Sequence, residues 1–317
     1  MTQPSSSLQR DDAVFALYDG DFHIGLGALV NSLYRAGFHG IVYVGYRGQL
    51  PPWARPSTAQ DGVVHYDVAA GCAIRFIKVD FAGHLTNSKP RFIKTTIETF
   101  CPDVRRAFYF DVDIVVKCPW AFFQHWADCG IAVCKDINEP QMSGNHPLRG
   151  YWRDMAARLG YSCREYDGYF NGGFVGMVRE NLPLLTVWQR LIDQLGTDGI
   201  ALDGLTYAPR PHPAQNLDQD MLNVALMATS YALSPVENSN MDMAPGGYVM
   251  AHALSGRKPW RQWYILDALR GYPPTLAHKA FWTAVERPIR LYSDRQRRAR
   301  RACMILASAI GRFYGRR

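Results

Sequence analysis

A sheet with parallel strands covered by helices, the α/β class, is the fold predicted for this 317-residue chain, and three observations predict it. A strand–loop–helix–strand succession occupies about thirty residues near the start, the pattern of a βαβ unit. Short apolar runs continue to alternate with helical periodicity further along. The composition, 48% hydrophobic and 20% charged, is that of a folded chain able to bury a substantial core.

The elements follow in order. Ala13-Val14-Phe15-Ala16-Leu17-Tyr18 is an apolar run ending at Asp19-Gly20-Asp21, read as a buried strand closing in a turn. Leu26, Leu29, Val30 and Leu33 give Gly25 to Ala36 helical periodicity, and Ile41 to Val44 is the second strand. Ligands of such sheets sit beyond the carboxyl ends of the strands, so the Asp19–Asp21 loop is placed to meet one. Val63 to Tyr66 and Ile74 to Val79 are the next strands, followed by a helix from about Arg91 to Phe100 that Pro102 ends. Ala107 to Val116 reads as one apolar strand interrupted by Asp111 and Asp113, and Ile131 to Cys134 as another. Residues 140–168 look like a long, partly irregular excursion, and Leu184 to Leu195 and Gln219 to Thr229 are helical. Three parts result: a Ser-rich, disordered lead-in over 1–10, a main domain over 11–286, and a C-terminal segment over 287–317.

Charge separates the last part from the rest. Arg287 to Arg317 holds ten arginines and one aspartate, a balance of +9 against +7 for the whole chain, so residues 1–286 carry −2. Ala299, Ala302, Cys303, Leu306, Ile310 and Phe313 fall on one face of a helix through this segment. A basic amphipathic helix of this kind suits an anionic membrane surface; a disordered tail and a helix docked on the body are the alternatives. No stacking or recognition motif accompanies the charge, so nucleic acid is not an expected partner. The seven cysteines form no C-x-x-C pair and no zinc-type spacing, which suits a reducing compartment. No signal-peptide pattern and no run of roughly 18 apolar residues is present. The expectation is a cytoplasmic protein, peripheral on the inner face of the plasma membrane.

Four segments carry chemistry. In Asp111-Val112-Asp113 two carboxylates interrupt an apolar run, where isolated charges are costly. At i and i+2 of a regular strand they would share one face and could share a divalent cation; alternatively the strand ends near Phe110 and the acids decorate its exposed end. His252 opens His252-Ala253-Leu254-Ser255-Gly256-Arg257-Lys258-Pro259-Trp260. Its imidazole suits a Mn²⁺ site, with Mg²⁺ the alternative metal, Lys258 offers a charge for a phosphate, and Gly256 allows close backbone approach; a satisfied core histidine is the other reading. Tyr169-Phe170-Asn171-Gly172-Gly173 marks a tight turn. Asn216-Leu217-Asp218-Gln219-Asp220-Met221-Leu222-Asn223 opens a helix, where Asp218 could be an ordinary cap.

Together, in this order, the four segments resemble glycosyltransferase family 8, retaining enzymes that include lipopolysaccharide galactosyl- and glucosyltransferases and glycogenin. The similarity runs from about Ala13 to Trp260. The family's D-x-D matches Asp111 to Asp113, its Y-F-N-A-G turn matches Tyr169 to Gly173 with Gly172 in place of Ala, and its D-Q-D-x-L-N start matches Asp218 to Asn223 without change. Its H-x-x-G-x-x-K-P-W motif appears as His252 to Trp260 with one extra residue before the glycine.

The resemblance implies a GT-A (Rossmann-like) fold with a mixed central sheet flanked by helices, and transfer of a hexose from UDP-galactose or UDP-glucose to a glycan or glycolipid acceptor such as lipopolysaccharide core. Asp111, Asp113 and His252 would bind Mn²⁺. Gly256 and Lys258 would hold the phosphates, Tyr18 and Asp19 the nucleoside, and Val112 would also contact the donor. Lys94, or Arg91, would be the basic residue near the donor. Asp136, Asn171 and Asp218 would contact the sugar, with Gln219 and Asp220 near its anomeric carbon. Two other functions compete: a sugar nucleotidyltransferase, for which an early Gly-rich phosphate loop is missing, and a non-catalytic sugar-nucleotide-binding protein at the membrane surface, against which the intact Asp111, Asp113, His252 and Lys258 argue.

Overall fold

The computed structural model describes residues 11–54, 58–60, 62–206, 215–254 and 256–313. The lead-in expected over 1–10 lies outside the described residues, as do Arg316 and Arg317. Strand β1 (Asp12–Asp19), helix α1 (His23–Arg35) and strand β2 (Gly40–Arg47) form the expected unit, with β1 parallel to β2. Strands β3 (Thr58–Gln60), β4 (Val63–Ala69) and β5 (Cys72–Lys78) extend the sheet on that side. Helix α2 (Lys89–Phe100) leads to β6 (Arg106–Phe110), β7 (Ile114–Val116), α3 (Trp120–Asp128) and β8 (Ile131–Cys134). Then come α4 (Pro147–Arg158), β9 (Phe174–Val178), α5 (Pro183–Thr197), α6 (Leu217–Met227) and β10 (Leu233–Val236). Strand β11 (Met250–His252) and helices α7 (Tyr264–Leu269), α8 (Leu276–Thr283) and α9 (Asp294–Phe313) complete the described chain.

Nine strands form one mixed sheet in the order β10-β8-β9-β6-β1-β2-β5-β4-β3. β1 is parallel to both β2 and β6, whereas β9 runs antiparallel to β6 and β4 antiparallel to β5. The continuous apolar run of β1 is explained by burial on both faces. Ala13, Phe15 and Leu17 enter one core, Val14, Ala16 and Tyr18 the other. Helices α2, α5 and α6 cover the first face through Ile93, Trp188 and Met221; α1 and α3 cover the second through Leu29 and Phe123. Chain leaves β1 toward β2 on one side and β6 arrives on the other, so the carboxyl ends of β1 and β6 flank a topological switch point, where ligands of such sheets bind.

One expectation is corrected and another is refined. The single strand over 107–116 is two: β6 stops at Phe110, Asp111 to Asp113 turn, and β7 leaves the main sheet to pair antiparallel with β11. The region 140–168 contains α4, started by Pro147 with the His146 side chain accepting from the Leu148 amide at 3.2 Å. Trp152, Met155 and Ala156 are its buried stripe, a helical spacing that the surrounding glycines and arginines obscure. The C-terminal segment is also joined to the body. Ile289 donates its amide to Asn31 Oδ1 at 2.7 Å, and Met304 and Ala307 of α9 are buried with Phe281 and Trp282. No described helix is long and apolar enough to cross a membrane.

Candidate functional site

A cavity of about 710 Å³ opens at the carboxyl ends of β1 and β6. Its floor is the turn after β6. The Asp111 amide donates to Gly173 O at 2.7 Å and the Ile114 amide to Asp111 O at 3.0 Å, so both carboxylates are aimed by backbone bonds rather than by strand alternation. The strand therefore does end at Phe110, yet the acids do not decorate an open surface: the Asp113 side chain is 7% exposed and that of Asp111 24%. β11 pairs with β7 in the register His252 to Ile114, which delivers the imidazole to the acids. His252 Nε2 lies 3.2 Å from Asp113 Oδ1 and 3.9 Å from Asp111 Oδ2. One ligand atom from each of Asp111, Asp113 and His252 lies within 4.8 Å of the others, a grouping able to hold a metal ion. Two hard carboxylates with one imidazole nitrogen suit a divalent ion such as Mn²⁺, which accepts nitrogen more readily than Mg²⁺ does.

Two lysines balance these acids. Lys258 Nζ donates to Asp113 Oδ2 at 2.5 Å and to Ala253 O at 2.7 Å. Burial alone would raise the Asp113 carboxyl, but His252 and Lys258 outweigh it and hold it below the usual carboxylate range. The second lysine is Lys89, at the start of α2. It is 1% exposed and lies 2.7 Å from Asp218 Oδ2, 2.9 Å from Gly172 O and 3.1 Å from Asp111 Oδ1. Burial opposes its charge, yet Asp111 and Asp218 overcome that and raise its pKa.

The other wall is a connected set of polar groups. Asp136 is 2% exposed and accepts from Asn171 Nδ2 at 2.7 Å; Asn171 Oδ1 accepts the Gly173 amide at 2.9 Å. Gln219 Oε1 accepts the Gly172 amide at 2.9 Å and Asn171 Nδ2 at 3.3 Å. Tyr18, Asp19, Phe22 and Val112 also line the cavity. Tyr18 donates to Gln49 O at 3.1 Å, and Asp19 pairs with Arg47 at 2.7 Å. Gly256 also lines the cavity, and a Cβ there would meet nothing within 4 Å.

Of the site residues expected from the sequence, Tyr18, Asp19, Asp111, Val112, Asp113, Asp136, Asn171, Asp218, Gln219, His252, Gly256 and Lys258 meet at this cavity. Lys94 does not. Its ammonium is 3.5 Å from Glu98 on the exposed side of α2, and Arg91 pairs with Asp193 at 3.0 Å on the surface. Lys89, in the first turn of α2, lines the cavity instead. Its only signal in the sequence was its position before Pro90, at the start of a helix. Phe22, His84, Asn138, Leu205 and Leu254 also line the cavity without having been singled out.

Asp220 is not among the residues that line the cavity either. Oδ1 accepts from the Tyr169 hydroxyl at 2.5 Å, and Oδ2 accepts the amides of Gln215 and Asn216 at 2.6 and 2.8 Å. These bonds use both oxygens to anchor the chain entering α6. Burial nevertheless pushes its pKa up to about 7 from 3.8. The folded protein thus retains a proton that the unfolded chain has released between about pH 4 and pH 7, and stability contributed by Asp220 is lost as pH rises through that window. Urea midpoints measured from pH 4.5 to 7.5 are expected to fall less steeply with pH in Asp220→Asn than in the wild type; parallel curves would remove Asp220 as the titrating group.

No family model and no curated protein matches the chain. Among solved structures, the apo structure of WbbM, a bifunctional glycosyltransferase, is similar with a TM-score of 0.51 at 14% identity, covering 95% of this chain and 52% of that one. The chain therefore spans about half the length of that structure. This likeness and the mixed sheet flanked by helices give the chain a fold of the GT-A glycosyltransferase type.

Proposed function

We propose that this protein is a retaining, metal-dependent hexosyltransferase of the family 8 type, drawing on UDP-galactose or UDP-glucose and acting on a glycan or glycolipid such as lipopolysaccharide core. The observation that carries this reading is the convergence of Asp111, Asp113 and His252, which are up to 141 residues apart in sequence, at the switch point of the sheet. These three side chains would hold Mn²⁺, or Mg²⁺ in its place. A bound cation of this kind supplies a counter-charge for the diphosphate as the glycosidic bond breaks.

The chain's own groups do the remaining work. Lys258 stands beside Asp113 and offers its ammonium to the same developing charge. Tyr18, Asp19, Phe22 and Val112 receive the nucleoside. Asp136, Asn171 and Asp218 meet the sugar hydroxyls, Lys89 holds Asp218 in place, and Gln219 faces the anomeric carbon from the start of α6. Asp220 acts behind Gln219, fixing the segment that carries it. A lipid-linked acceptor would bring the protein to the cytoplasmic face of a membrane, where its arginine-rich C-terminal segment meets an anionic surface.

The test is release of UDP from a panel of UDP-sugars with and without Mn²⁺, read together with the mass of the product. Asp113→Asn is expected to lower metal-dependent UDP affinity by about 100-fold or more while the circular dichroism spectrum stays unchanged, since loss of a charged ligand removes roughly 3 kcal/mol or more. An unchanged titration in that variant would refute the metal assignment. UDP binding without turnover of any sugar would favour a non-catalytic binding protein.

A further inference from the structure

Eight of the fourteen exposed large hydrophobic side chains among the described residues fall between Trp263 and Phe313, in the part of the chain that also carries the excess positive charge. They are not spread along the terminal helix alone. Part of its apolar face is turned inward: Cys303 and Ile310 pack on the core formed by Phe281 and Trp282. Helix α7 lies beside α9 and restores an outward apolar surface. Trp263 is 74% exposed, and Leu266 and Leu269 follow it at three-residue steps. On α9, Ile305 and Phe313 are 69% and 86% exposed. Between the helices runs a groove of about 630 Å³, lined by Trp263, Leu266 and Leu269 on one side and by Ala299, Arg300 and Cys303 on the other.

The acids beside this surface, Glu286 and Asp294, are taken up by Arg290 and Arg297. Arg295, Arg298 and Arg312 are exposed, and none forms an ion pair among the described residues. Apolar side chains led by a tryptophan, bordered by unpaired arginines, are complementary to the interface of a bilayer with anionic headgroups. Tryptophan settles at the headgroup level, aliphatic chains enter the acyl boundary, and guanidinium groups meet lipid phosphate. A nucleic acid would use the arginines but would leave the aliphatic side chains exposed.

We propose that α7 and α9 together form a membrane-docking face for an anionic lipid bilayer, with Trp263, Leu266 and Leu269 as its inserting edge. The face goes beyond the transferase reading and stands without it, because bilayer binding needs no donor. It also makes the arginine-rich segment part of a folded platform rather than a detachable tail.

Co-sedimentation of the full chain with phosphatidylcholine vesicles, with and without phosphatidylglycerol, tests it. The wild type is expected to bind only the anionic vesicles. Both Trp263→Glu/Leu269→Glu and Arg295→Gln/Arg298→Gln/Arg312→Gln should weaken partitioning by about tenfold or more, with unchanged thermal melting. A second measurement requires no destabilising change. Brominated lipids should quench wild-type fluorescence more than that of Trp263→Phe, and equal quenching would overturn the insertion. Undiminished sedimentation of the Trp263→Glu/Leu269→Glu variant would overturn the face. So would a wild-type dimer in solution that this variant dissociates, since the occupant would then be a second copy of the chain. UDP release is assayed separately, so loss of one result leaves the other readable.

Discussion

Replacing Gly173 with alanine is expected to weaken metal-dependent UDP binding by about 10- to 100-fold, whereas Gly172→Ala should leave it nearly unchanged. The two glycines are adjacent, so a difference between them isolates the space each occupies. A Cβ on Gly173 would stand 2.4 Å from His252 Cε1, 2.9 Å from Asn171 Oδ1 and 3.0 Å from Asp111 Oδ2. Those atoms belong to two of the three proposed metal ligands and to the side chain that organises the opposite wall. His252 cannot simply withdraw, because β11 is paired with β7 and the residue is 7% exposed. Overpacking of this kind costs about 1–3 kcal/mol. Here most of that would appear as displacement of the imidazole from the two carboxylates. At Gly172 the nearest atoms would be Gln219 Cβ at 3.2 Å, Gln219 Cα at 3.3 Å and Asp218 Oδ2 at 3.4 Å, and a shift of a few tenths of an ångström admits a methyl group. Calorimetric titration of UDP in Mn²⁺ checks the pair. Wild-type affinity in Gly173→Ala would mean that the imidazole is not needed where the structure places it.

The contrast also marks where the sequence is legible. Asn171-Gly172-Gly173 reads as a tight turn, and the usual argument for glycine there is torsional. Neither Gly172 nor Gly173 has a positive φ; Gly173 is required for close approach to His252, a residue 79 positions away that no local pattern could have named. The same holds for the sheet. β1, α1 and β2 were readable because their periodicity is local and their burial two-sided. β11 and β7 are three residues each, too short for a period to register, although their pairing is what brings His252 to the acids. Lys94 and Lys89 show the limit most clearly. Both lie on α2, five residues apart, and neither charge nor composition tells them apart; only the packing of α2 against α5 decides that the first turn faces the cavity. The three hydrogen bonds of Asp220 likewise depend on where the chain enters α6, which no local pattern shows.

Removing the ammonium of Lys89 is expected to be the most destabilising single change in the site, about 3–5 kcal/mol for Lys89→Met at neutral pH. That is the range for breaking a buried ion pair from one side. Asp218 is 2% exposed and its Oδ2 is 2.7 Å from Lys89 Nζ, so it would remain in the interior without that counter-charge. Gly172 O would lose its donor at 2.9 Å as well. The surface pair of Lys94 with Glu98, at 3.5 Å between adjacent turns of α2, gives the comparison, and Lys94→Met should cost no more than about 0.5 kcal/mol. Methionine nearly matches lysine in length, which keeps the cavity term small. In Lys89→Met/Asp218→Asn the stranded charge is gone, and recovery of about 1–3 kcal/mol relative to the single variant is expected from the coupling of contacting groups. The raised pKa of Lys89 sets the pH range. Its contribution is fully present below the ordinary value of 10.5 and is lost as pH rises through the higher folded-state value. The cycle should therefore read the same coupling at pH 6 and pH 8. Urea unfolding of the four proteins measures it. If Lys89→Met proved as stable as the wild type to within about 1 kcal/mol, Asp218 would have to be neutral or hydrated in the folded protein. Lys89 would then no longer explain how that carboxylate is held at the cavity.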